Sequence, residues 1–273
     1  MARTLSPVPP AGAAASDAAS TFEVGGYRVD LLLQGYPGKA TCHGGLGWSS
    51  VILLRGHGRV AVIDTGAFGM RKPLIAALEA LGVTPGDVTD VLLSHAHHDH
   101  MINFTLFGQA RMVIGAVELE WARKAPWGST PVPEVYVKEL AAWPSLHLAQ
   151  EGEEVLPAVS VHLAPGHTPG HLVFVLAGEK RDLIVVQDAA KNRAELVSRH
   201  TDMTYDARLS AASIDKIIAL WGRRPGSVLI PGHDLPMVLE DGWPRLLGKR
   251  RAGIAAMFGD SLEETTVFDL AGD

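Results

Sequence analysis

The run His95-Ala96-His97-His98-Asp99-His100 constrains this chain more than any other stretch. It follows Val91-Leu92-Leu93-Ser94, an apolar run that reads as a buried strand, so the cluster lies where a strand ends and a loop begins. In an extended segment side chains alternate with period two, which puts His95, His97 and Asp99 on one side. A turn into helix then re-aims His100 beside Asp99. Two imidazoles reach one point, and a carboxylate plus an imidazole reach a neighbouring one. That donor set suits zinc and similar first-row divalent ions. A solvated His/Asp loop is the bland alternative. It leaves unexplained three further candidate ligands downstream, His167, Asp188 and His233.

His167 lies in Ala164-Pro165-Gly166-His167-Thr168-Pro169-Gly170-His171, Asp188 ends the apolar run Leu183-Ile184-Val185-Val186-Gln187, and His233 follows Val228-Leu229-Ile230 in Pro231-Gly232-His233-Asp234. Each stands just past an expected strand, as the first cluster does. These motifs, in this order, resemble the metallo-β-lactamase-fold hydrolases, and Asp64-Thr65-Gly66 after Val60-Ala61-Val62-Ile63 matches an earlier D-T-G turn of that family. The resemblance runs from about Tyr27 to Asp234. It implies an α/β fold, an αββα sandwich of two mixed sheets flanked by helices, with the site at one edge between the sheets. It also implies that His95, His97 and His167 hold one ion, that Asp99, His100 and His233 hold a second, and that Asp188 bridges them. Asp99 would in addition move a proton as the catalytic residue. Histidine rather than glutamate at position 97 sets the chain apart from di-iron oxygen-reducing relatives. It favours two zinc ions, with manganese, iron or cobalt as substitutes.

Length and composition agree with one large core: 273 residues, 47% hydrophobic and 20% charged. Residues 1–21, rich in Ala, Pro and Ser with one Arg, read as a disordered tail and a poor secretory signal, which leaves a single domain over 22–273. No run approaches the roughly 18–20 apolar residues of a membrane span. The net charge of −6 and the lack of a long basic block argue against a nucleic-acid surface. A lone cysteine, Cys42, excludes an intrachain disulfide and cysteine-rich metal chemistry, and fits a cytoplasmic setting.

Along the chain, Tyr27 to Leu33 reads as the first strand and Gly35 to Gly47, with Cys42 and His43, as a flexible glycine-rich loop. Trp48 to Leu54 and Arg59 to Ile63 form a hairpin around Gly56-His57-Gly58. Helical spacing marks Met70 to Leu81, stopped by Gly82. Arg111 to Ile114 is a strand and Ala116 to Lys124 a helix. Residues 121–145 form an insertion with Trp127, Trp143, four prolines (126, 131, 133, 144) and a helical piece, Glu134 to Ala142. A lid or a homodimer contact is its functional reading, a surface connection its plain one. Strands follow at Val159 to Leu163, His171 to Leu176, Leu183 to Val186 and Ser227 to Ile230, with a helix over Ser210 to Trp221. A closing helix is expected over Trp243 to Phe258.

The leading expectation for function is hydrolysis of a small ester, most specifically a lactone as in acyl-homoserine lactonases, the substrate being a small molecule. Lys191, Arg193, Tyr205 and His171 are the candidate substrate-binding residues. Lys191 and Arg193 could pair with a carboxylate, and His171, four residues past a ligand, could support the metal. Lactonases of this kind place a Tyr near the bridging Asp, where this chain has Lys191. Other readings are a metal-dependent phosphodiesterase or nuclease, a glyoxalase-II-like thioesterase and a persulfide dioxygenase. The short, partly basic stretch after His233 counts against the thioesterase, and the full second ligand set against the dioxygenase.

Overall fold

Most strands of this protein carry apolar side chains on both faces, so each sheet needs cover on both sides. The first seven strands, β1 (Thr21–Val24), β2 (Tyr27–Leu33), β3 (Val51–Gly56), β4 (Arg59–Ile63), β5 (Asp90–Leu92), β6 (Arg111–Gly115) and β7 (Leu146–Ala149), pair in sequence order into one sheet. Its pairings are antiparallel from β1 to β4 and parallel from β4 to β7. The connections hold α1 (Arg71–Ala80), the single turn α2 (His98–Met101), α3 (Ala116–Lys124) and α4 (Glu134–Ala141). A second sheet is built from β8 (Glu154–Leu156), β9 (Val159–Leu163), β10 (Leu172–Leu176), β11 (Leu183–Gln187), β12 (Val228–Pro231), β13 (Met237–Glu240) and β14 (Trp243–Leu246), again paired in sequence order. Only β11 and β12 are parallel in it. Helices α5 (Arg193–Ser198) and α6 (Ala207–Trp221) cross its outer face, and β15 (Gly253–Ala256) pairs with β16 (Thr266–Asp269) as a separate hairpin. This computed structural model describes residues 20–42, 46–262 and 264–271. Residues 1–19 of the expected tail and His43 lie outside them, and Thr21 already opens β1.

Period-two alternation distributes the core over three layers. Ile52, Leu54, Ile63, Leu92 and Val113 of the first sheet meet Leu172, Phe174, Val185 and Ile230 of the second between the sheets. The intervening residues, Val51, Leu53, Val62, Val91 and Met112, face outward under Leu74 and Leu78 of α1, Leu119 of α3 and Leu140 of α4. On the far side Ile184, Val186 and Leu229 pack against Ile214, Ile217 and Trp221 of α6. The order helix, sheet, sheet, helix is the αββα sandwich expected.

The closing helix over Trp243 to Phe258 does not form. Asp241 and Gly242 both take positive φ (50° and 80°), a hairpin turn that joins β13 to β14. Pro244 lies opposite Leu239 on β14, the last strand of its sheet, where a missing N–H is tolerated. The insertion keeps its expected helix, and Trp143 tucks onto the body. Its indole edge meets Phe104 at 5.4 Å and its Nε1 donates to the Ala110 carbonyl at 3.1 Å. Trp127 instead stays 65% exposed, under the Lys138 ammonium. No helix among the described residues is long and apolar enough to cross a membrane.

Phe174 of the central strand β10 is fully buried between the sheets. Phe174→Ala is expected to lower the unfolding free energy by about 3–5 kcal/mol, the usual cost of such a cavity. Denaturant titration would read this as a lower midpoint with an unchanged slope.

Candidate metal centre

The parallel strands β4, β5, β11 and β12 end on one edge of the sandwich, and Asp64, His95, Asp188 and His233 follow them there. The β9–β10 connection brings His167 to the same edge. Backbone bonds lock the two sheets together around it: Leu172 N–H to Ser94 O at 2.8 Å, Ser50 N–H to Gly232 O at 2.6 Å. His97 is extended (φ −79°, ψ 151°) and caps the single turn of α2, which carries Asp99 and His100. The first motif is thus half strand-like and half helical, the geometry its spacing requires.

Two backbone strains hold the site. Asp64 (φ 53°) and Gln187 (φ 45°) occupy positive φ next to the cluster, where non-glycine residues are costly. A Cβ on Gly232 would collide with Asp188 Oδ1, so only glycine admits the β12 loop this close to the carboxylate.

The seven candidate ligands converge. Donor atoms of His95, His97 and His167 lie within 4.8 Å of one another, as do those of Asp99, His100 and His233. Asp188 stands between the groups. Its Oδ2 is 3.3 Å from His167 Nε2, and its Oδ1 is 3.2 Å from His100 Nε2 and 3.1 Å from His233 Nε2. His97 Nδ1 and His167 Nε2 face each other at 2.9 Å, a separation that calls for a proton or a cation. Asp99 Oδ2 lies 3.4 Å from His233 Nε2 and 3.6 Å from His100 Nε2. His98 is exposed and takes no part.

Asp64 orients the cluster. It accepts from Ser94 N–H and Ser94 Oγ, each at 2.7 Å, and from His100 Nδ1 at 2.7 Å, while Ser94 Oγ also meets His95 Nδ1 at 2.9 Å. Both imidazoles are engaged at Nδ1, which directs Nε2 into the centre. Buried there, His95 Nε2 has no hydrogen-bond partner among the described residues, and His100 Nε2 and Asp188 Oδ1 face each other at 3.2 Å without hydrogen-bond alignment. Divalent ions between these groups would satisfy all three atoms, so the donor set fits a pair of metals.

Electrostatics divide the centre. Burial holds His95 and His167 well below the usual histidine range and brings His97 down to about 4, so these imidazoles stay neutral as ligands must. Burial acts likewise on His100 and His233, but the Asp188 and Asp99 carboxylates outweigh it and hold both above the ordinary value. Asp188 is well below the carboxylate range, because His233, His100 and His167 overcome its desolvation.

The candidate substrate residues scatter. Lys191 Nζ pairs with Glu195 Oε1 at 2.9 Å and donates to the Asp202 carbonyl at 2.7 Å, while its own carbonyl accepts from His233 N–H at 2.7 Å. Arg193 Nε donates to Pro244 O at 2.8 Å. Tyr205 is 66% exposed, yet its N–H donates to the His167 carbonyl and its ring meets Trp121 at 6.1 Å. His171 is buried, stacked on His95 at 4.7 Å, and burial lowers it to about 3. Trp121, whose ring lies edge-on to His97 at 6.3 Å, is a site neighbour that sequence reasoning missed. It looks like any helical aromatic in sequence. The role of Asp64 had a signal: like Asp188, it directly follows an apolar strand.

A profile of the metallo-beta-lactamase superfamily matches residues 44–233 of this chain. An N-acyl homoserine lactonase of Bacillus cereus is 26% identical over 164 residues, which is 59% of this chain and 62% of that enzyme, under two thirds of its length. Metallo-beta-lactamase domain-containing protein 1 of Xenopus laevis is 27% identical over 212 residues, 77% of this chain and 81% of that one. Among solved structures, AidC, a dizinc quorum-quenching lactonase in complex with its product, superposes with a TM-score of 0.68 at 17% identity, covering 83% of this chain and 95% of that one. The fold, the motif order and a family match over more than half of the chain agree: this protein belongs to the metallo-beta-lactamase superfamily.

Proposed function

We propose that this protein is a dinuclear metal-dependent hydrolase that opens a lactone bearing an apolar acyl chain. The observation that carries the reading is Asp188, whose two oxygens face two separate groups of His/Asp donors. In this reading His95, His97 and His167 would hold one ion, Asp99, His100 and His233 would hold the other, and Asp188 would serve both. The imidazole and carboxylate donors, with the lone Cys42 exposed and no part of the cluster, suit zinc, with manganese, iron or cobalt as substitutes. When bound, such ions acidify a water molecule and polarise a carbonyl oxygen.

The chain's own residues do the rest. Asp99 is the ligand carboxylate most open to the solvent side, with 21% of its side chain exposed against 5% for Asp188. The imidazoles of His100 and His233 keep it ionised against its burial. It takes the proton of the attacking water at a carboxylate oxygen and delivers it to the ring oxygen as the ester bond breaks. Asp64 and Ser94 hold the His95 and His100 rings in place throughout. Trp121 and Tyr205 offer an apolar wall beside His97 and His167 for the acyl chain. The lactonase relatives support this choice of substrate, and the net charge of −6 disfavours a long polyanion.

Elemental analysis of protein purified without chelators should give about two ions per chain, and Asp188→Ala should lower that content at both positions. A plateau at one ion with full turnover would exclude the dinuclear reading. Asp99→Asn keeps the shape and loses the base. Its kcat is expected to fall about 10²-fold or more with at least half of the metal retained, and an unchanged kcat removes Asp99 from proton transfer. Across a series of acyl-homoserine and simple lactones, kcat/KM should rise with acyl length, and Trp121→Ala should flatten the rise. If bis-p-nitrophenyl phosphate is cleaved well while every lactone and thioester stays intact, the substrate assignment fails and the hydrolase assignment survives.

A further inference from the structure

Glu118, in the first turn of α3, has a fully buried carboxylate with no cationic side chain paired to it among the described residues. Its Oε1 accepts from the Ala96 N–H at 2.9 Å, and its Oε2 accepts from Thr168 Oγ1 at 2.7 Å and from the Gly170 N–H at 3.0 Å. Ala96 lies between His95 and His97, and Thr168 follows His167. One carboxylate therefore ties together the two loops that carry this histidine group, one from each sheet. The docking is close: a Cβ on Gly170 would collide with the Glu118 backbone, and one on Gly115 would meet Gly170 O at 2.9 Å. Packing alone does not ask for an acid here, since the neighbouring inward residues of α3 are Leu119 and Ala122. Desolvation makes a buried carboxylate costly and pushes Glu118 up to about 7, against the pull of its three donors.

We propose that Glu118 is a positioning residue that sets the spacing of the His95, His97 and His167 imidazoles by holding the loop after β5 and the β9–β10 loop on a single carboxylate. This rests on the reading that those three histidines hold a metal. The other group has different supports: Asp64 on His100, Ser49 Oγ on the Asp99 carbonyl and the Lys191 carbonyl on His233. Glu118 therefore acts on one metal position and spares the other.

The test is metal binding by the apo-protein. Cobalt(II) is titrated against a competing chelator, read by its visible absorption, and the melting temperature of the apo-protein is measured alongside. Wild type should bind in two steps. Glu118→Gln keeps the side-chain volume but turns an amide N–H₂ toward one set of donors. It should weaken one step 10–100-fold, the usual effect of losing a group that orients a ligand, and leave the other step and the apo melting temperature near wild type. Thr168→Val removes one donor from the same carboxylate and should weaken the same step by a smaller factor. The proposal is overturned if Glu118→Gln binds both ions like wild type, or if both steps weaken together with a fall in apo melting temperature. Wild-type protein that takes up no ion refutes the metal reading of the histidines themselves, and the proposal with it.

Discussion

The arrangement of this protein depends on one buried carboxylate that faces two ways. Asp188 reaches His167 with one oxygen and His100 and His233 with the other, and these residues come from three loops and both sheets. An isolated buried anion is strongly disfavoured, and it persists only when the surroundings supply compensating charge or donors. The chain meets that condition through backbone features of little use elsewhere. Gln187 takes a positive φ to aim the next side chain, and Gly232 lacks the Cβ that would exclude the carboxylate. Strain concentrated on the residues that shape a polar cluster is the pattern expected when the cluster, and not the core, selects the conformation.

The same edge shows a division of labour between carboxylates. Asp64, fully buried, has both oxygens engaged by Ser94 and His100 and serves to fix ring orientation. Asp188 stands between the two groups of imidazoles, and Asp99 is the partly exposed one that a substrate could reach. In the proposed reading, burial depth sorts these chemically identical side chains into a support, a bridge and a proton carrier. The sorting follows from where each lies on its strand end.

Much of this was legible in the sequence, for identifiable reasons. Each of His95, Asp188 and His233 stands just past a run of apolar residues, so strand prediction and site prediction were one inference. The two-faced apolar strands left little alternative to a layered sandwich. Legibility failed where the determining contact is distant in sequence. Glu118 meets Ala96 and Thr168 across 22 and 50 positions, and nothing local distinguishes it from an acid on a solvated helix face. The expected closing helix failed differently. Asp241-Gly242 followed by Trp-Pro carries a hairpin signal, which the expected helix over Trp243 to Phe258 left out of account.

Helix α3 links the two properties that the strand ends do not determine. Glu118 and Trp121 are three residues apart, so they lie on neighbouring positions of one helical face. The first enters the gap beneath the histidine loops and the second meets the edge of His97, with Tyr205 beyond it. A rotation or shift of this helix would therefore move the support of one histidine group and the wall beside it together. The helix is capped by Gly115, which Gly170 O approaches closely, and residues 125–133 join it to α4. That stretch also reaches the histidine loop directly, because the Pro131 carbonyl accepts from the His98 N–H at 3.1 Å. On this fold the segment between α3 and α4 therefore touches both groups of candidate ligands: through Glu118 of α3 the loops of His95, His97 and His167, and through Pro131 the turn that carries Asp99 and His100.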